Sequence, residues 1–364
     1  MGNQLIYLAR CSESDIGPQN HVSEVRKYFG KDIILVGSPA VWPNYTLKET
    51  NTRFKICSVI YTQVSMIYII LRLRLSGKCT VLLHRLSPDD GLVALVAYIL
   101  RIRYFVEING RFDQDLEDRG RNCVQRKVSK CLMKLNCFVA KKVFIVHENL
   151  IDYVENFTTT KKCVVISNGV DIIEIAKVER KPHLKYVGYL GSHAKREGVD
   201  ILADVFTHLP EHYRMVCVGG TKSECALLLD SFKRKGLEDR LEIHTNQDRA
   251  TALSILSAVD VCVHFRRPIA KNTFSQGMPL KILDYMLLGK PIVTTRLDNM
   301  LFLEENEFGL LSEFCPQHFS IKIREVLSGN ITFENLNNRS LEYVEAHYSW
   351  RRSLNLLRRE IYDA

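Results

Sequence analysis

The sequence predicts an α/β protein built from two domains, each with a parallel sheet. Short β-branched or apolar runs alternate with longer segments of helical period along the whole 364-residue chain, which is the pattern of repeated βαβ units. The chain is long for one hydrophobic core and comfortable for two domains. The run KVERKPHL, within residues 177–185, is charged, carries Pro182 and lacks periodicity, so we predict a linker there.

Eleven runs have the length and composition of strands. In the first half they are QLIYLA, DIILVG, CTVLLHR, RYFVEI, KVFIVH and CVVISNG, and in the second half KYVGYL, YRMVCVGG, LEIHT, DVCVHF and KPIVTT. Predicted helices include residues 195–208, 222–235 and the amphipathic stretch 349–362. The predicted domains are therefore 1–178 and 179–345, with 346–364 as a final helix. Because parallel strands end at one edge of their sheet, ligands are expected just beyond that edge.

Composition indicates a soluble globular protein, with 46% hydrophobic and 25% charged residues. The most apolar stretch, VSMIYIILRLRL, is interrupted by Arg72 and Arg74 and is too short for a membrane span. The N-terminal MGNQLIYLARC lacks the basic segment and the cleavage site of a signal peptide. The eleven cysteines never form a CxxC pair, which favours free thiols in a reducing cytoplasm over disulfides or zinc.

The net charge of +9 is concentrated in the first domain. Residues 1–178 hold 25 Lys and Arg against 17 Asp and Glu, whereas residues 179–364 hold 25 against 24. This imbalance predicts an anionic partner for the first domain. No zinc-finger, RNP or helix-turn-helix signature accompanies the charge, so we do not expect nucleic acid to be that partner.

The basic excess is greatest in RGRNCVQRKVSKCLMKLNCFVAKK, residues 119–142. Apolar side chains recur there at helical spacing, at Val124, Val128, Cys131, Leu132, Leu135 and Phe138. Arg126, Lys127, Lys130 and Lys134 fall on another face of the same helix. Two interpretations stay open: a surface helix with a solvated basic face, or a helix that lies against anionic lipid at the inner face of the plasma membrane.

The stretch GMPLKILDYMLLGKPIVTT, residues 277–295, has the features of an anion site. A loop with Gly277 and Pro279 opens a short apolar helix, whose first turn offers unpaired N–H groups and carries Lys281. Such a helix start binds diphosphate readily. Asp284, one turn further on, could accept hydrogen bonds from a ribose diol. The alternative is an ordinary loop, a solvated lysine and an acid that stabilises the helix dipole.

This stretch resembles the donor-binding signature of GT-B glycosyltransferases, in particular the retaining family-four group that builds bacterial surface polysaccharides. Three further stretches are similar to the group in the right order, over roughly residues 80 to 350. They are VISNGVD (165–171), YVGYLGSHAKREGVDILADVF (186–206) and DRLEIHTNQDRATALSILSAVDVCVHF (239–265).

The resemblance implies a GT-B fold, in which two Rossmann-like domains face each other across a cleft and a C-terminal helix crosses back to the N-terminal domain. It also implies a glycosyltransferase that moves a sugar from a nucleotide-sugar to a saccharide or lipid-linked saccharide, with retention. The activity would need neither metal nor cofactor and would serve bacterial surface polysaccharide or lipopolysaccharide synthesis. Because similar Pro-Leu-Lys openings occur in subgroups that use UDP-N-acetylated sugars, the resemblance favours UDP over GDP.

Residue roles follow from the same resemblance. The implied catalytic residues are Lys195, Arg196, Gln276 and Lys281. Lys195 or Arg196, together with Lys281 and the helix start, would stabilise the charge of the departing diphosphate. The implied donor-binding residues are Gly188, Gly219, His244, Thr245, Gly277, Met278, Pro279, Leu280 and Asp284.

The sequence departs from the family pattern at three of these positions. The family usually has two acidic residues eight positions apart; the second is Asp284 here, but the first is Gln276. The usual Arg after Val-Gly is Tyr189, and the usual Lys before Gly198 is Glu197. The positive charge expected there must then come from Lys195 or Arg196.

The residues expected on the acceptor or sugar side belong to the first domain. They are Gly17, His84, Arg85, Asn109 and Gly110. Asn109-Gly110 occupies the place where the family often has His-Gly, and His84 is the alternative, although a strand-end histidine is more often bonded within the protein. Asp113-Gln114-Asp115 is the one Asp-x-Asp, but it lies in the loop expected after EING, on the wrong domain for a metal clamp.

Three other functions remain as alternatives. A catalytically idle nucleotide-sugar-binding module would bind nucleotide without turnover, and the missing acid at Gln276 is compatible with it. A sugar-nucleotide epimerase of similar fold would need an acid/base pair at the sugar. A nucleic-acid binder would show steep salt dependence and no nucleotide preference.

Overall fold

The computed structural model describes residues 4–11, 16–41, 43–47, 55–78, 80–118, 120–171, 175, 178–193, 197–267, 278–329, 331 and 333–363. The chain divides into two compact units. The first runs to Gly169 and also takes in the chain from Trp350 onward, and the second holds the described residues from Val170 to Ser349. Val170 is bonded into the second unit through its N–H, which donates to the Tyr348 carbonyl oxygen at 2.8 Å. The division thus lies upstream of the linker predicted from composition.

The first unit contains a seven-stranded sheet in the order β3-β2-β1-β4-β5-β6-β7, and all its pairings are parallel. Its strands are β1 Leu5–Ala9, β2 Ile33–Gly37, β3 Tyr45–Thr46, β4 Val81–Arg85, β5 Arg103–Ile108, β6 Val143–Ile145 and β7 Cys163–Val165. Its helices up to residue 169 are α1 Ile16–Phe29, α2 Lys55–Leu75, α3 Leu92–Ile99, α4 Phe112–Asp118, α5 Cys123–Val139 and α6 Ile151–Val154.

Both faces of this sheet are covered, because successive residues of a strand point to opposite faces. In β1, Ile6 and Leu8 belong to the core that packs against α2, α3 and α5. Leu5 and Tyr7 belong to the core on the other face, which packs against α1. The strands are accordingly near-continuous apolar runs, as parallel strands buried on both faces are.

The second unit contains a six-stranded parallel sheet in the order β10-β9-β8-β11-β12-β13. Its strands are β8 Lys185–Leu190, β9 Tyr213–Val218, β10 Leu241–His244, β11 Val261–His264, β12 Ile292–Thr295 and β13 Gly309–Ser312. Its helices are α7 Leu202–Thr207, α8 Lys222–Lys233, α9 Arg249–Ser257, α10 Leu280–Leu287, α11 Phe302–Glu305, α12 Pro316–Leu327 and α13 Leu336–Tyr348.

The last helix, α14 Trp350–Tyr362, returns to the first unit. Its buried apolar residues recur at intervals of three or four, which places them on one helix face; they are Trp350, Leu354, Leu357 and Ile361. They pack with α1 residues such as Val22 and Val25 in the core on that face of the sheet. The predicted amphipathic helix is confirmed, and its apolar face completes the first unit.

Every predicted strand run contains a strand, and two strands were not predicted. β3 is a two-residue edge strand, too short to give a pattern, and β13 is the short run GLLS. The helix predicted over 195–208 begins later in the described part, with a 3₁₀ turn from Val199 and then α7. We expected Asp113 to lie in a loop, and this prediction is wrong, because Phe112–Asp118 forms α4.

The longest helix among the described residues, α2, has 21 residues and carries Arg72 and Arg74 in its last turn. Among the helices in the part of the chain that the structure describes, none combines the length and apolar character needed to cross a bilayer. The structure describes nine cysteines, and all nine are free thiols.

Candidate functional site

At the carboxyl edge of the second sheet, two glycine-containing loops contact each other. Gly191 follows β8 and Gly219 follows β9, with backbone φ angles of +129° and +113°. A Cβ atom on Gly219 would lie 2.6 Å from the Gly191 carbonyl oxygen, so neither the backbone conformation nor the space admits a side chain there. The Gly191 N–H donates to the Val218 carbonyl oxygen at 2.9 Å. The two strand ends are thus held together where ligands of parallel sheets bind.

Lys281 reaches this edge from the first turn of α10, which Pro279 precedes. Its Nζ lies 2.9 Å from Glu197 Oε2 and 3.2 Å from the Tyr189 hydroxyl oxygen. The ammonium group also lies 4.7 Å from the centroid of the Tyr189 ring. A Cβ atom on Gly191 would lie only 2.8 Å from the same nitrogen. The lysine of the GMPLK stretch therefore lies directly beside the end of β8.

Glu197 is shared by a second cation. Arg266, which follows β11, places Nη1 2.7 Å from Glu197 Oε1, and its backbone N–H donates to the Thr295 hydroxyl at 3.0 Å. Among the described side chains, one carboxylate thus faces two cations. Burial, with the charges of Lys281 and Arg266, holds the pKa of His264 well below its usual range. The potential at this edge of the sheet therefore favours an anion.

Asp284 lies one turn into α10 and is bound by an arginine that the sequence interpretation did not single out. Arg249, the first residue of α9, donates to Asp284 Oδ1 through Nε at 3.1 Å and Nη2 at 2.7 Å. The same guanidinium donates to the Asp171 carbonyl oxygen at 3.3 and 3.4 Å. Burial raises the pKa of Asp284, and the Arg249 charge opposes the rise. Asp171 is the last residue of the NGVD stretch. Arg249 therefore links three segments that are distant in sequence: the end of NGVD, the start of α9 and the first turns of α10.

His244, the last residue of β10, and Thr245, which follows it, were predicted to lie beside the nucleobase. The His244 carbonyl oxygen accepts from the Gly219 N–H at 2.8 Å, and the His244 ring bonds Glu242. The Thr245 carbonyl oxygen accepts from Gln247 Nε2 at 2.9 Å. Both carbonyl groups therefore already bond within the protein in this structure.

Gly188, another predicted donor residue, lies inside β8 rather than in a loop. A Cβ atom there would lie 2.8 Å from Leu256 Cδ2 and equally close to Val259 Cγ2. Close packing of this strand against residues 256–259 therefore explains the glycine. Residues 278–280 are buried or half-buried where the chain enters α10.

Four predicted site residues, Lys195, Arg196, Gln276 and Gly277, lie outside the described residues, and their roles stay predictions. Among the described residues, the cations that meet Glu197 at this edge are Lys281 and Arg266. Arg266 follows directly on the predicted strand DVCVHF, so its position just after a strand end was the signal that could have identified it.

The first unit has a buried polar cluster at the carboxyl edge of its own sheet. Arg85 Nη1 lies 2.5 Å from Glu107 Oε1, and the Tyr7 hydroxyl donates to Glu107 Oε2 at 2.9 Å. His21 Nε2 lies 3.0 Å from Glu107 Oε1, and its Nδ1 lies 2.9 Å from Asn168 Oδ1. Burial alone would raise the pKa of Glu107, but His21 and Arg85 outweigh it and hold that pKa far below its usual range. The predicted Arg85 is thus held in place by a carboxylate.

His84 is part of a separate buried network and is not available to a saccharide in this structure. Its Nδ1 lies 2.8 Å from the Tyr104 hydroxyl and its Nε2 lies 3.2 Å from Asp90 Oδ2. Arg10 Nη2 binds the other carboxylate oxygen of Asp90 at 2.7 Å. Burial raises the pKa of Asp90, but Arg10, His84 and the Ser87 N–H together hold it at about 2.

The other residues predicted for the acceptor side lie near the ends of strands or helices in the first unit. Gly17 is in the first turn of α1. Asn109 and Gly110 directly follow β5, and the Asn109 side chain helps to lower the pKa of Glu107. A Cβ atom on Gly110 would meet no atom within 4 Å. Glu107 in β5 and His21 in α1 bind each other but were not predicted as site residues. A single charged or polar residue within a strand or helix gives no sequence pattern.

Within the described ranges, no group of three or more His, Cys, Asp or Glu side chains could hold a metal ion. The acids of the two clusters, Glu197, Asp284 and Glu107, are each paired with basic side chains instead. At its strand ends the second unit places two half-buried cations, Lys281 and Arg266, beside glycine-containing backbone.

Comparison with known families gives a match within the second unit. Residues 182–329 match the family model described as "Glycosyl transferases group 1". The matched range contains both glycine loops, Glu197, Arg249, Arg266, Lys281 and Asp284. The match therefore covers most of the second unit and less than half of the chain. A comparison with curated proteins gives no match.

Solved structures match the whole chain. The Anabaena protein Alr3699/HepE, solved in complex with UDP and glucose, covers 100% of both chains at 14% identity with a TM-score of 0.76. The lipopolysaccharide outer core galactosyltransferase WaaB covers 97% of this chain and 98% of its own at 13% identity, with a TM-score of 0.67. WaaG, a glycosyltransferase involved in lipopolysaccharide biosynthesis, covers 99% and 100% at 9% identity, with a TM-score of 0.67. The predicted GT-B fold is confirmed.

Proposed function

We propose that this chain, whose residues 182–329 match the group 1 glycosyltransferase model, transfers a sugar from a nucleotide-sugar donor to a saccharide or lipid-linked saccharide acceptor. The observation that carries the proposal is the cluster of Lys281, Glu197 and Arg266 at the carboxyl edge of the second sheet. It lies inside the matched range 182–329, and its positive potential suits the diphosphate of such a donor.

The proposed chemistry is stabilisation of the leaving group. Negative charge grows on the diphosphate as the sugar–oxygen bond breaks, and prearranged cations and helix-terminal N–H groups lower the energy of that state. Lys281 supplies an ammonium group, and α10 supplies its N-terminal end. Lys195 or Arg196 stays a prediction for a further cation, and Gln276 for contact with the transferred sugar. We propose that no divalent cation takes part.

UDP is the proposed nucleotide, with GDP as the alternative. The structure of HepE was solved with UDP and glucose, which supports UDP for this fold. In the same proposal, Asp284 holds the ribose, the anomeric configuration is retained, and the product is a bacterial surface polysaccharide such as lipopolysaccharide. The nine described free thiols support a reducing compartment, and we propose the cytoplasm.

A thermal-shift screen against UDP-, GDP-, ADP- and CMP-sugars tests the donor. A ligand that binds the folded state raises the melting temperature, so the correct nucleotide should give the largest rise. A rise with GDP-sugars but not UDP-sugars would move the proposal to GDP. The absence of any rise would refute a nucleotide-sugar site.

An assay of nucleotide release with and without candidate acceptors then tests transfer. Release that depends on an acceptor, and that continues in EDTA, is the expected result. Binding without release would identify an idle binding module, and an epimerised sugar formed without acceptor would identify an epimerase. NMR of the product reports the anomeric configuration and so tests retention.

A further inference from the structure

One outer surface of the first unit is formed by three neighbouring helices. The buried sides of α2, α3 and α5 all belong to the core on the same face of the sheet. α2 packs beside α3, and α3 packs beside α5. Because their inner sides meet the same sheet face, their outer sides share one surface, which we call the three-helix face.

This face is unusually apolar for a surface. Among the described residues, thirteen of the seventeen exposed large hydrophobic side chains lie on these helices: Ile60, Tyr61, Val64, Tyr68, Leu71, Leu75, Leu92, Leu95, Tyr98, Ile99, Val124, Val128 and Phe138. Tyr98, Val124 and Phe138 are 66%, 69% and 73% exposed. Single exposed apolar residues are normal on any protein, but a concentration of this kind marks a site of contact with a partner or a membrane.

The charges on the three helices are all of one sign. None of the three contains Asp or Glu, whereas α2 carries Lys55, Arg72 and Arg74 and α5 carries Arg126, Lys127, Lys130 and Lys134. In α5 the exposed Val124, Cys131 and Phe138 recur every seven residues and form one line along the helix. Lys127 and Lys134, also seven apart and exposed, run beside that line.

A groove of about 440 Å³ opens on the cationic side of α5. Its lining comes from α4, α5 and the α6 region and includes Arg111, Arg126, Lys127 and Lys130. Arg111 lies over the Tyr153 ring at 5.1 Å and binds Asp113 at 2.9 Å. The groove thus offers several cations of α5 to a phosphate-sized group next to the apolar line.

We propose that the three-helix face docks on the surface of an anionic lipid bilayer. The apolar side chains of α2, α3 and α5 enter the boundary between headgroups and acyl chains, and Lys127, Lys130 and Lys134 lie against lipid phosphates. An amphipathic surface of apolar and tyrosine side chains edged by cations is what such an interface accommodates. The inference goes beyond the transferase activity and does not depend on it.

Charge decides between a membrane and a second copy of this chain. Two copies that met through this face would bring cations of the same helices together with no acid of those helices between them, which is unfavourable. Anionic lipid neutralises the same cations. The tyrosines of α2 and α3 agree with this occupant, because their apolar rings and polar hydroxyl groups suit the headgroup region.

Sedimentation of the full chain with vesicles tests the proposal. We expect binding to phosphatidylcholine vesicles that contain phosphatidylglycerol, weak binding to pure phosphatidylcholine, and loss of binding at high salt. The variant Lys127→Gln/Lys130→Gln/Lys134→Gln should bind about a hundredfold more weakly, at about fivefold for each cation removed. The charge-preserving variant Tyr98→Ser/Phe138→Ser should also lose binding, because it removes apolar contact.

The matched control is Arg351→Gln/Arg352→Gln/Arg359→Gln. It removes three exposed cations from α14, which packs on the opposite face of the same sheet, and should bind as the wild type does. All changed side chains are exposed, so circular dichroism melting should be unaltered. If the control lost vesicle binding to the same extent, the effect would be one of net charge and the proposed face would be refuted. The proposal would also be overturned if the lysine variant bound vesicles as the wild type does, or if the wild type did not sediment with vesicles. A dimer in light scattering that Tyr98→Ser/Phe138→Ser dissociates would assign the face to a second copy instead.

Discussion

Glu197 Oε2 lies 2.9 Å from Lys281 Nζ, with only 12% of the Glu197 side chain exposed. The Glu197 carboxylate therefore already binds Lys281, the cation that we propose for binding the diphosphate. Its other oxygen, Oε1, lies 2.7 Å from Arg266 Nη1, so one carboxylate positions two cations. A bound diphosphate must compete with Glu197 for both cations.

Lys281 should contribute directly to the binding of the diphosphate. Lys281→Ala should weaken UDP binding by about ten- to a hundredfold, because a charged hydrogen bond contributes about 1.5–3 kcal/mol. Isothermal titration measures the change. Lys233→Ala, which removes an exposed lysine from the last turn of α8, is the control and should bind UDP normally. Unchanged affinity in Lys281→Ala would mean that the diphosphate binds elsewhere.

Glu197→Gln should have the opposite effect. Without the competing carboxylate, an anion that binds Lys281 and Arg266 has one competitor fewer, and UDP affinity should rise about three- to tenfold, equivalent to roughly 1 kcal/mol. The same titration serves, with Glu238→Gln at an exposed site as the control. A loss of affinity in Glu197→Gln would show that Glu197 mainly positions the two cations rather than competing for them.

Asp284 should discriminate between ribose and deoxyribose. If its carboxylate binds the ribose diol, the wild type should prefer UDP over 2′-deoxy-UDP by about tenfold, the value of one hydrogen bond to a charged group. Asp284→Asn should reduce that preference, while its effect on the overall fold should be small, because burial raises the pKa of this group and so disfavours its charge. Equal preference in the variant and the wild type would remove Asp284 from the ribose site.

Arg249→Ala should destabilise the second unit and make its stability depend on pH. The change leaves the Asp284 carboxylate, only 9% exposed, without its cation, which costs about 1–3 kcal/mol at neutral pH. The pKa of Asp284 is already raised by burial and rises further without Arg249. A raised pKa favours the protonated group in the folded state, so stability should fall as pH rises from about 4.

Urea unfolding at several pH values measures this effect. The double variant Arg249→Ala/Asp284→Asn should recover most of the loss at pH 7, because no buried charge remains. If the two variants are equally unstable at every pH, the loss comes from packing or from the bonds to the Asp171 carbonyl oxygen rather than from the uncompensated carboxylate.

Asp90 should contribute to acid unfolding of the first unit. Its pKa is held at about 2, against 3.8 in the absence of interactions. Because this pKa is lowered, the unfolded chain takes up the proton first, and stability present above pH 4 is lost as pH falls towards 2. The shift corresponds to about 2 kcal/mol. Asp90→Asn should be less stable at neutral pH but lose less stability in acid, whereas Asp89→Asn should follow the wild type in urea titrations. Parallel curves for Asp90→Asn and wild type would contradict this.

Much of the fold was predictable because its signals are local. Near-continuous apolar runs such as RYFVEI and KYVGYL became β5 and β8 with the predicted bounds. β13 was missed because GLLS is four residues long and has no flanking turn signal that sets it apart. The start of α7 was predicted too early, because the apolar pattern of 195–208 does not show that Gly198 adopts a left-handed conformation with φ +72°.

The candidate site was predictable only in part, for a different reason. Lys281 and Asp284 could be identified because they open a helix directly after a glycine-containing loop. Their partners Arg249 and Glu197 could not be inferred, since pairing depends on where the sheet brings distant segments together. The departure of Glu197 from the family pattern was visible in the sequence, but its salt bridge to Lys281 required coordinates.

In α5, the periodicity predicted the helix correctly but did not show which of its faces is buried. The helix was predicted, and Cys123–Val139 is helical. Its buried side is formed by Ser129, Met133, Asn136 and Cys137, whereas most of the apolar stripe identified from spacing is exposed. Spacing defines the faces of a helix, but the neighbouring elements decide which face is covered.

Because α14 fills one side of the first sheet, that unit is assembled from two ends of the chain. Leu5 and Trp350 belong to the same core, yet the ribosome makes Trp350 more than three hundred residues after Leu5. The described residues of the second unit all lie between Val170 and Ser349, so they are made before α14. Val22 and Phe29 therefore lack their α14 partners in this core until residues 350–362 have been made.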